Sequence, residues 1–302
     1  MKTLAWIALT MLAPIIWGST YIVTSEILPD GAPFTAAVIR CLPVGIVLIL
    51  FSHHLPVRSQ WLKLVVLSAL NIGCFQALLF IAAYRLPGGL AAVIGAIQPL
   101  IVLGLSWIML KKSPPKLSLL AGVSAILGMI MLMIAPMLEQ GLVWDELGIM
   151  AAFLGAMSMG LGTYFSRHWH DQAPSIPLIA FTGWQLALGG FMLVPFAWFF
   201  DPVLPQLTTV QLSAYFYLAV VGTLLTYLLW FKGVRQLPPA AVSSLGLLSP
   251  ISAIVLGWVF LDQRIEGWAM VGLVVVIVSI LLVQWSQNAQ QRKELIQLKA
   301  VK

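Results

Sequence analysis

RLPGGLAAVIGAIQPLIVLGLSW at Arg85–Trp107 and QLPPAAVSSLGLLSPISAIVLGW at Gln236–Trp258 are one motif written twice. At a constant offset of 151 residues, Leu86 pairs with Leu237, Pro87 with Pro238, Gly95 with Gly246, Pro99 with Pro250 and Trp107 with Trp258. Self-similarity at a fixed offset marks duplication of a whole structural unit. Fainter echoes lie elsewhere: Thr20-Tyr21 resembles Thr163-Tyr164, and Gly45 resembles Gly190. Each copy is also apolar for about 20 residues, the length at which a helix crosses a bilayer.

Working outward from these two stretches, apolar runs of the same length fill the chain. They predict ten transmembrane helices at 4–23, 33–52, 62–83, 88–110, 116–135, 146–166, 176–200, 210–231, 239–261 and 267–285. Hydrophobic residues are 61% and charged residues only 9%, with a mean hydropathy of +1.00. A soluble domain carries about a quarter charged residues, so this chain could not cover a water-facing surface. A membrane β-barrel needs alternating apolar and polar positions; Leu64–Leu70 and Val271–Val283 do not alternate. The first run follows Lys2 but stays apolar through Tyr21–Val23 with no small-x-small cleavage site, so it reads as a span and not a signal peptide. Cys41 and Cys74 fall within spans at no metal-ligand spacing and read as packing residues.

Charge placement orients the spans. With the N-terminus inside, Lys2, Arg58, Lys63, Lys111, Lys112, Lys116, Arg167, Lys232, Arg235, Arg292, Lys293, Lys299 and Lys302 lie on the cytoplasmic side. Arg85 and Arg264 lie outside, and Arg40 sits within a span. The bias obeys the positive-inside rule and places both termini in the cytoplasm of a bacterial-type inner membrane. The net charge of +6 therefore reports topology and contact with anionic lipid, and argues against a nucleic-acid partner.

Five spans per half is an odd number, so the second half starts from the opposite side. The expected fold is all-α, two inverted five-helix repeats at 1–138 and 139–285, followed by a basic cytoplasmic tail at 286–302. Inverted repeats about an in-plane axis are a recurrent transporter plan, with the substrate near the midplane. Pro99 and Pro250 each remove a helical hydrogen bond from the carbonyl four residues earlier, at Gly95 and Gly246. Those four positions form either two static kinks or two symmetry-related hinges.

Further motifs resemble the drug/metabolite transporter superfamily, specifically its ten-helix EamA-type exporters, over nearly the whole chain. They are Trp17-Gly18-Ser19-Thr20-Tyr21, Arg40, the Leu-Pro openings at 86–87 and 237–238, Gln98-Pro99, Ser249-Pro250, and Tyr227-Leu-Leu-Trp230-Phe231-Lys232. The WGSTY opening is similar to PecM-like members. Where the family often carries a glutamate just beyond spans four and nine, this chain reads Leu110-Lys111-Lys112 and Leu261-Asp262-Gln263-Arg264. The resemblance implies efflux of amino acids, metabolites, pigments or toxic compounds.

No phosphate-binding glycine loop, nucleophile elbow or paired intramembrane carboxylate is present. His53-His54 and His168-Trp169-His170 lack supporting ligands and read as headgroup contacts, so neither metal nor cofactor is expected. No Asp or Glu lies near the middle of a span, whereas buried carboxylates mark proton relays. Glu26 and Glu146 sit at outer helix ends. Arg40 lies about seven residues into its span, roughly 10 Å of rise. It is either an anchor, within geometric reach of Glu26, or a substrate-facing cation.

Uncharged groups are the better site candidates. Gln76, Gln98, Asn71, Gln185, Ser243 and Ser244 should face other helices or a cavity, because an amide in lipid is costly. Trp17, Tyr21, Tyr164, Trp184, Tyr227 and Trp230 could line an aromatic cavity, whereas Trp61, Trp144, Trp198 and Trp285 read as interface anchors. The expectation is an exporter of small metabolites, amino acids or related amphipathic and aromatic compounds, working by alternating access. A monomer in lipid with one small-molecule substrate suffices for it. The rival classes are a membrane scaffold or regulator and, further off, an integral-membrane enzyme.

Overall fold

A computed structural model of the chain describes residues 2–29, 31–85, 94–95, 97–110, 113–140, 145–172, 176–261 and 267–300. The expected start of span four, Lys111-Lys112, Trp144 and the 262–266 turn lie outside these residues. Among those described, every regular element is helical. Eight helices are long and apolar enough to cross a membrane, and two shorter apolar helices accompany them.

The elements are α1 (Lys2–Glu26), α2 (Pro33–Ser52), α3 (Arg58–Ser68), α4 (Cys74–Arg85), α5 (Gln98–Leu110), α6 (Lys116–Gln140) and α7 (Glu146–Gln172). They continue with α8 (Leu178–Phe200), α9 (Thr209–Ala219), α10 (Thr226–Gln236), α11 (Pro239–Leu245), α12 (Leu248–Leu261) and α13 (Trp268–Ala300). A π-helical turn, Ala69–Gly73, joins α3 to α4 without a break, and a second, Val220–Leu225, joins α9 to α10. The last helix runs well past 285, so most of the expected tail is helical, with Gln287 buried and bonded to Ser118 Oγ at 3.0 Å.

Apolar surface is turned outward. Leu50, Phe51, Ile108, Phe199, Phe216 and Val259 are exposed, as are Trp198 near the end of α8 and Trp285 midway along α13. Asn71, Gln76, Gln185, Thr223, Thr226 and Ser243 are buried. This distribution suits a protein whose solvent is lipid, where small polar side chains bond between helices.

Helix α2 packs along α8, and α6 along α13; α1 lies on α12 and α10, while α7 lies on α5 and α4. Glycine sets the α2–α8 crossing. A Cβ on Gly45 would lie 2.2 Å from the backbone nitrogen of Ala187, and one on Gly190 would lie 2.9 Å from that of Leu42. Only glycine lets the two backbones meet this closely.

The bundle has two chemically distinct ends. At the acidic end, Leu28, Ala36, Tyr215 and Leu218 form a packed apolar cluster, and Asp201 Oδ2 accepts from the Thr35 backbone N–H. Arg85 pairs there with Asp145 at 3.0 Å. The basic end carries Arg58, Lys63, Lys116, Arg167, Lys232 and Arg235. Cavities of about 290 Å³ and about 40 Å³ open at that end.

Candidate functional site

Trp17 lies on α1 beside Gly18, and that glycine brings α1 against α12. A Cβ there would lie 2.7 Å from the carbonyl oxygen of Ser249, and Ser252 Oγ donates to Ile15 O at 2.8 Å. With α1 held so close, the Trp17 indole reaches α10. Its ring centroid lies 5.2 Å from both Tyr227 and Trp230, with tilted planes. Offset and tilted aromatic pairs of this kind are favourable beyond their buried area.

The second π turn supplies the polar anchor of the same cluster. Trp17 Nε1 donates to Gly222 O at 3.1 Å and to Thr226 Oγ1 at 2.9 Å. Thr226 Oγ1 itself donates to Gly222 O at 2.7 Å. Arg40 is buried, with Nη2 bonded to Gly222 O at 3.1 Å and Nε to Thr223 Oγ1 at 3.0 Å. A π turn widens the helix by one residue and is common at functional sites. Both acceptors are neutral, so dipoles hold this guanidinium in place, and these bonds anchor it to the opposite helix.

Gln76 on α4 donates to Tyr227 Oη at 3.4 Å, a long bond. Gly246, at the break between α11 and α12, sits between the other two candidates. A Cβ there would lie 3.7 Å from the Trp230 ring and 3.9 Å from Gln98 Oε1. The carbonyl of Gly246, which Pro250 cannot bond, instead accepts from Ser249 N at 3.1 Å. The proline effect expected from sequence is therefore a tight local turn that satisfies its own carbonyl. Pro99 is buried on α5, and a Cβ on Gly95 would meet none of the described residues within 4 Å.

Three polar groups at this centre have no hydrogen-bond partner among the described residues: Gln76 Oε1, Trp230 Nε1 and Gln98 Nε2. Burying an amide or indole N–H without a partner costs about 1–3 kcal/mol. An unmet acceptor, two unmet donors, a fixed cation and three aromatic rings within one cluster suit an amphipathic solute with its own donors and acceptors.

The structure thus brings Trp17, Gln76, Tyr227, Trp230, Gln98 and Gly246 together, with Arg40 behind them. Tyr21 belongs to α1, but its side chain lies outside the described residues. Tyr164 is buried at the basic end, stacked on His168 at 5.7 Å. Trp184 also lies at that end, edge-on to Trp61 at 4.7 Å and donating to His54 O at 3.1 Å. Glu26 is exposed at the acidic end of α1. Asn71 donates to Ser166 Oγ at 3.1 Å and Gln185 Oε1 at 2.7 Å, a buried tie between helices. Sequence reasoning passed over Gly222, Thr223 and Thr226. Their signal was a Gly-Thr-x-x-Thr pattern inside an otherwise apolar run. No grouping of His, Cys, Asp and Glu suited to a metal occurs among the described residues.

The chain matches the EamA-like transporter family over residues 4–134 and 146–285. It is 40% identical over 282 residues to Protein PecM of Dickeya dadantii (strain 3937), covering 93% of each chain. It is 22% identical to the probable amino-acid metabolite efflux pump of Salmonella typhimurium (strain LT2), covering 90% of this chain and 92% of that one. A solved crystal structure shares the fold with a TM-score of 0.77 at 16% identity, over 95% of this chain and 98% of that chain.

Proposed function

Because the chain belongs to the EamA-like transporter family, whose members are multi-pass membrane transporters, we propose that it exports small amphipathic metabolites, amino acids or related aromatic compounds, by alternating access. The observation that carries this reading is the cluster of Trp17, Gln76, Gln98, Tyr227 and Trp230, with three buried polar groups left to a solute. The named efflux relative supports the substrate class.

Two inverted five-helix halves, 1–138 and 139–285, supply the mechanics. Several independent correspondences support that division. Gln60 and Gln211, 151 residues apart, each accept from the backbone N–H that opens their helix, at 3.0 Å. The π turns begin at Ala69 and Val220, at the same offset. Gly45 rests on Ala187 and Gly190 on Leu42, a reciprocal contact at an offset of 145. Arg40 and Gln185, also 145 apart, each bond to the π turn of the other half. Gln76 and Tyr227 are partners at 151 and touch each other, as residues beside a pseudo-two-fold axis would, which supports the same division.

In the state described, the acidic end is sealed by Leu28, Ala36, Tyr215 and Leu218, and the cavities open at the basic end. With that end in the cytoplasm, as the positive-inside rule places it, this is an inward-facing state. Export requires the halves to rock until the seal parts, with the turns at Gly95–Pro99 and Gly246–Pro250 absorbing the motion.

The test is efflux of labelled amino acids and aromatic metabolites from proteoliposomes, with and without a pH gradient. Saturable flux, lost in Trp17→Ala and Gln98→Ala while insertion persists, is the expected result. Flux of a panel member that both variants leave unchanged would sink the assignment of this cluster.

A further inference from the structure

The cavity of about 290 Å³ at the basic end is separate from the central cluster and has its own chemistry. It lies between α5, the 113–115 loop, α7, the start of α11 and α13. Its polar lining is rich in donors: Arg167, His168, Tyr164, Gln287, Gln290 and Gln291. None of the described residues lining it is acidic. Its apolar lining is Leu103, Pro114, Pro115, Pro238 and Pro239, a rigid set of side chains.

Tyr164 points to a ligand. It is 2% exposed and lines the cavity, yet its hydroxyl has no hydrogen-bond partner among the described residues. Burying that hydroxyl is unfavourable unless an incoming group pairs with it. Arg167 is fixed beside it by a bond from Nη1 to the carbonyl of Arg235. A guanidinium so fixed presents a pre-oriented charge to an anionic oxygen. The volume equals that of about ten waters at roughly 30 Å³ each, so the solute has on the order of ten heavy atoms.

We propose that this cavity is a binding site for a small organic carboxylate. Arg167 takes the carboxylate, the Tyr164 hydroxyl and the α13 amides complete its hydrogen bonds, and the Leu103–proline wall takes the apolar body. In the transport reading, on which this role rests, it is the loading end of the pathway. The selection it imposes is a negative group on a compact apolar frame.

Purified full-length protein in phosphatidylcholine nanodiscs is titrated with phenylacetate and with its neutral isostere phenylacetamide, by calorimetry. Phenylacetate should bind, at least about tenfold more tightly than the amide. Arg167→Gln should weaken it to the level of the amide and Tyr164→Phe several-fold, while Arg58→Gln, at the same end but away from the cavity, leaves it unchanged. Equal binding of acid and amide, or no binding of either, overturns the site. Arg167-dependent loss of phenylacetate binding in phosphatidylglycerol nanodiscs also overturns it, by giving the site to a lipid headgroup. Flux measured in parallel separates the two readings. Binding without flux leaves the site and removes the transport role, whereas flux without binding does the reverse.

Discussion

Gly45 and Arg40 lie on the same helix and hold it in opposite ways, one by lacking a side chain and the other by the reach of its own. At Gly45 even a methyl group would overlap the Ala187 backbone, and backbone cannot step aside as a flexible side chain can. Gly45→Ala should therefore cost at least the 1–3 kcal/mol typical of overpacking. Gly104→Ala, where none of the described residues would lie within 4 Å of the added methyl, should cost nothing. Thermal midpoints in detergent check both. Arg40→Lys keeps the charge but loses the planar pair of donors that spans Gly222 O and Thr223 Oγ1. We expect it to destabilise by about 1–3 kcal/mol and to lower flux, with Arg40→Ala worse on both counts. A midpoint unchanged in Arg40→Lys would show that charge alone holds α2 to the π turn. Much at this scale was legible: Arg40, Gln76, Gln98 and the aromatic residues stand out because polarity in a membrane span is costly. Their grouping was not. Trp17 and Trp230 meet while Trp184 goes to the interface, because depth and rotation depend on packing and not on residue type.

Helices α9 and α10 read in sequence as one plain apolar span, and the turn that makes them useful is invisible there. A π turn inserts one residue into the α register, which rotates everything after it by about 100°. Here that rotation turns Tyr227 and Trp230 toward Trp17. Deleting Val221 takes the inserted residue out again and keeps both rings on their face, but it closes the widened turn at which Trp17 and Arg40 bond Gly222 O, so it should loosen the ring cluster and abolish flux while the protein still inserts. Trp fluorescence should shift as the ring cluster separates; an unaltered spectrum and flux would deny the turn its role. A second element-scale joint lies at Asp145. This carboxylate accepts from Gly148 N at 2.8 Å, capping α7, and pairs with Arg85 at the end of α4. The Gly148 N–H, then Arg85, hold its carboxyl below the ordinary aspartate range. A depressed folded value contributes stability above the unfolded value and loses it as pH falls through the folded one. The thermal midpoint of Asp145→Ala should thus lie below that of the wild type at pH 7. The gap should be constant from pH 8 to 5 and close only in strong acid. Spans themselves were legible because length and hydropathy suffice; helix α13 outran its expected end because polar residues such as Gln287 continue its buried face against Ser118.

At the scale of the molecule, the segregation of charge is what turns a bundle into a directed device. In the ten-span reading of the sequence, Asp171 and Glu294 alone of the ten acidic residues fall on the side where the basic residues gather. That asymmetry was readable from sequence, since loop charge governs insertion irrespective of packing. The proposed reciprocity of the two halves is strong in the sequence where Pro and Gly repeat and faint where only backbone geometry does. Orientation decides whether a cavity at the basic end loads from the cell interior, so export stands or falls on it. Two single cysteines test it in a Cys41→Ala, Cys74→Ala background. Val203→Cys lies at the acidic end, where the native side chain is 96% exposed, and Ser113→Cys lies in an exposed loop at the basic end. A membrane-impermeant maleimide should label the first in intact cells and the second only after permeabilisation. The reverse pattern would place the open cavity outside and make the described state one that captures solute from the medium, turning an exporter into an importer.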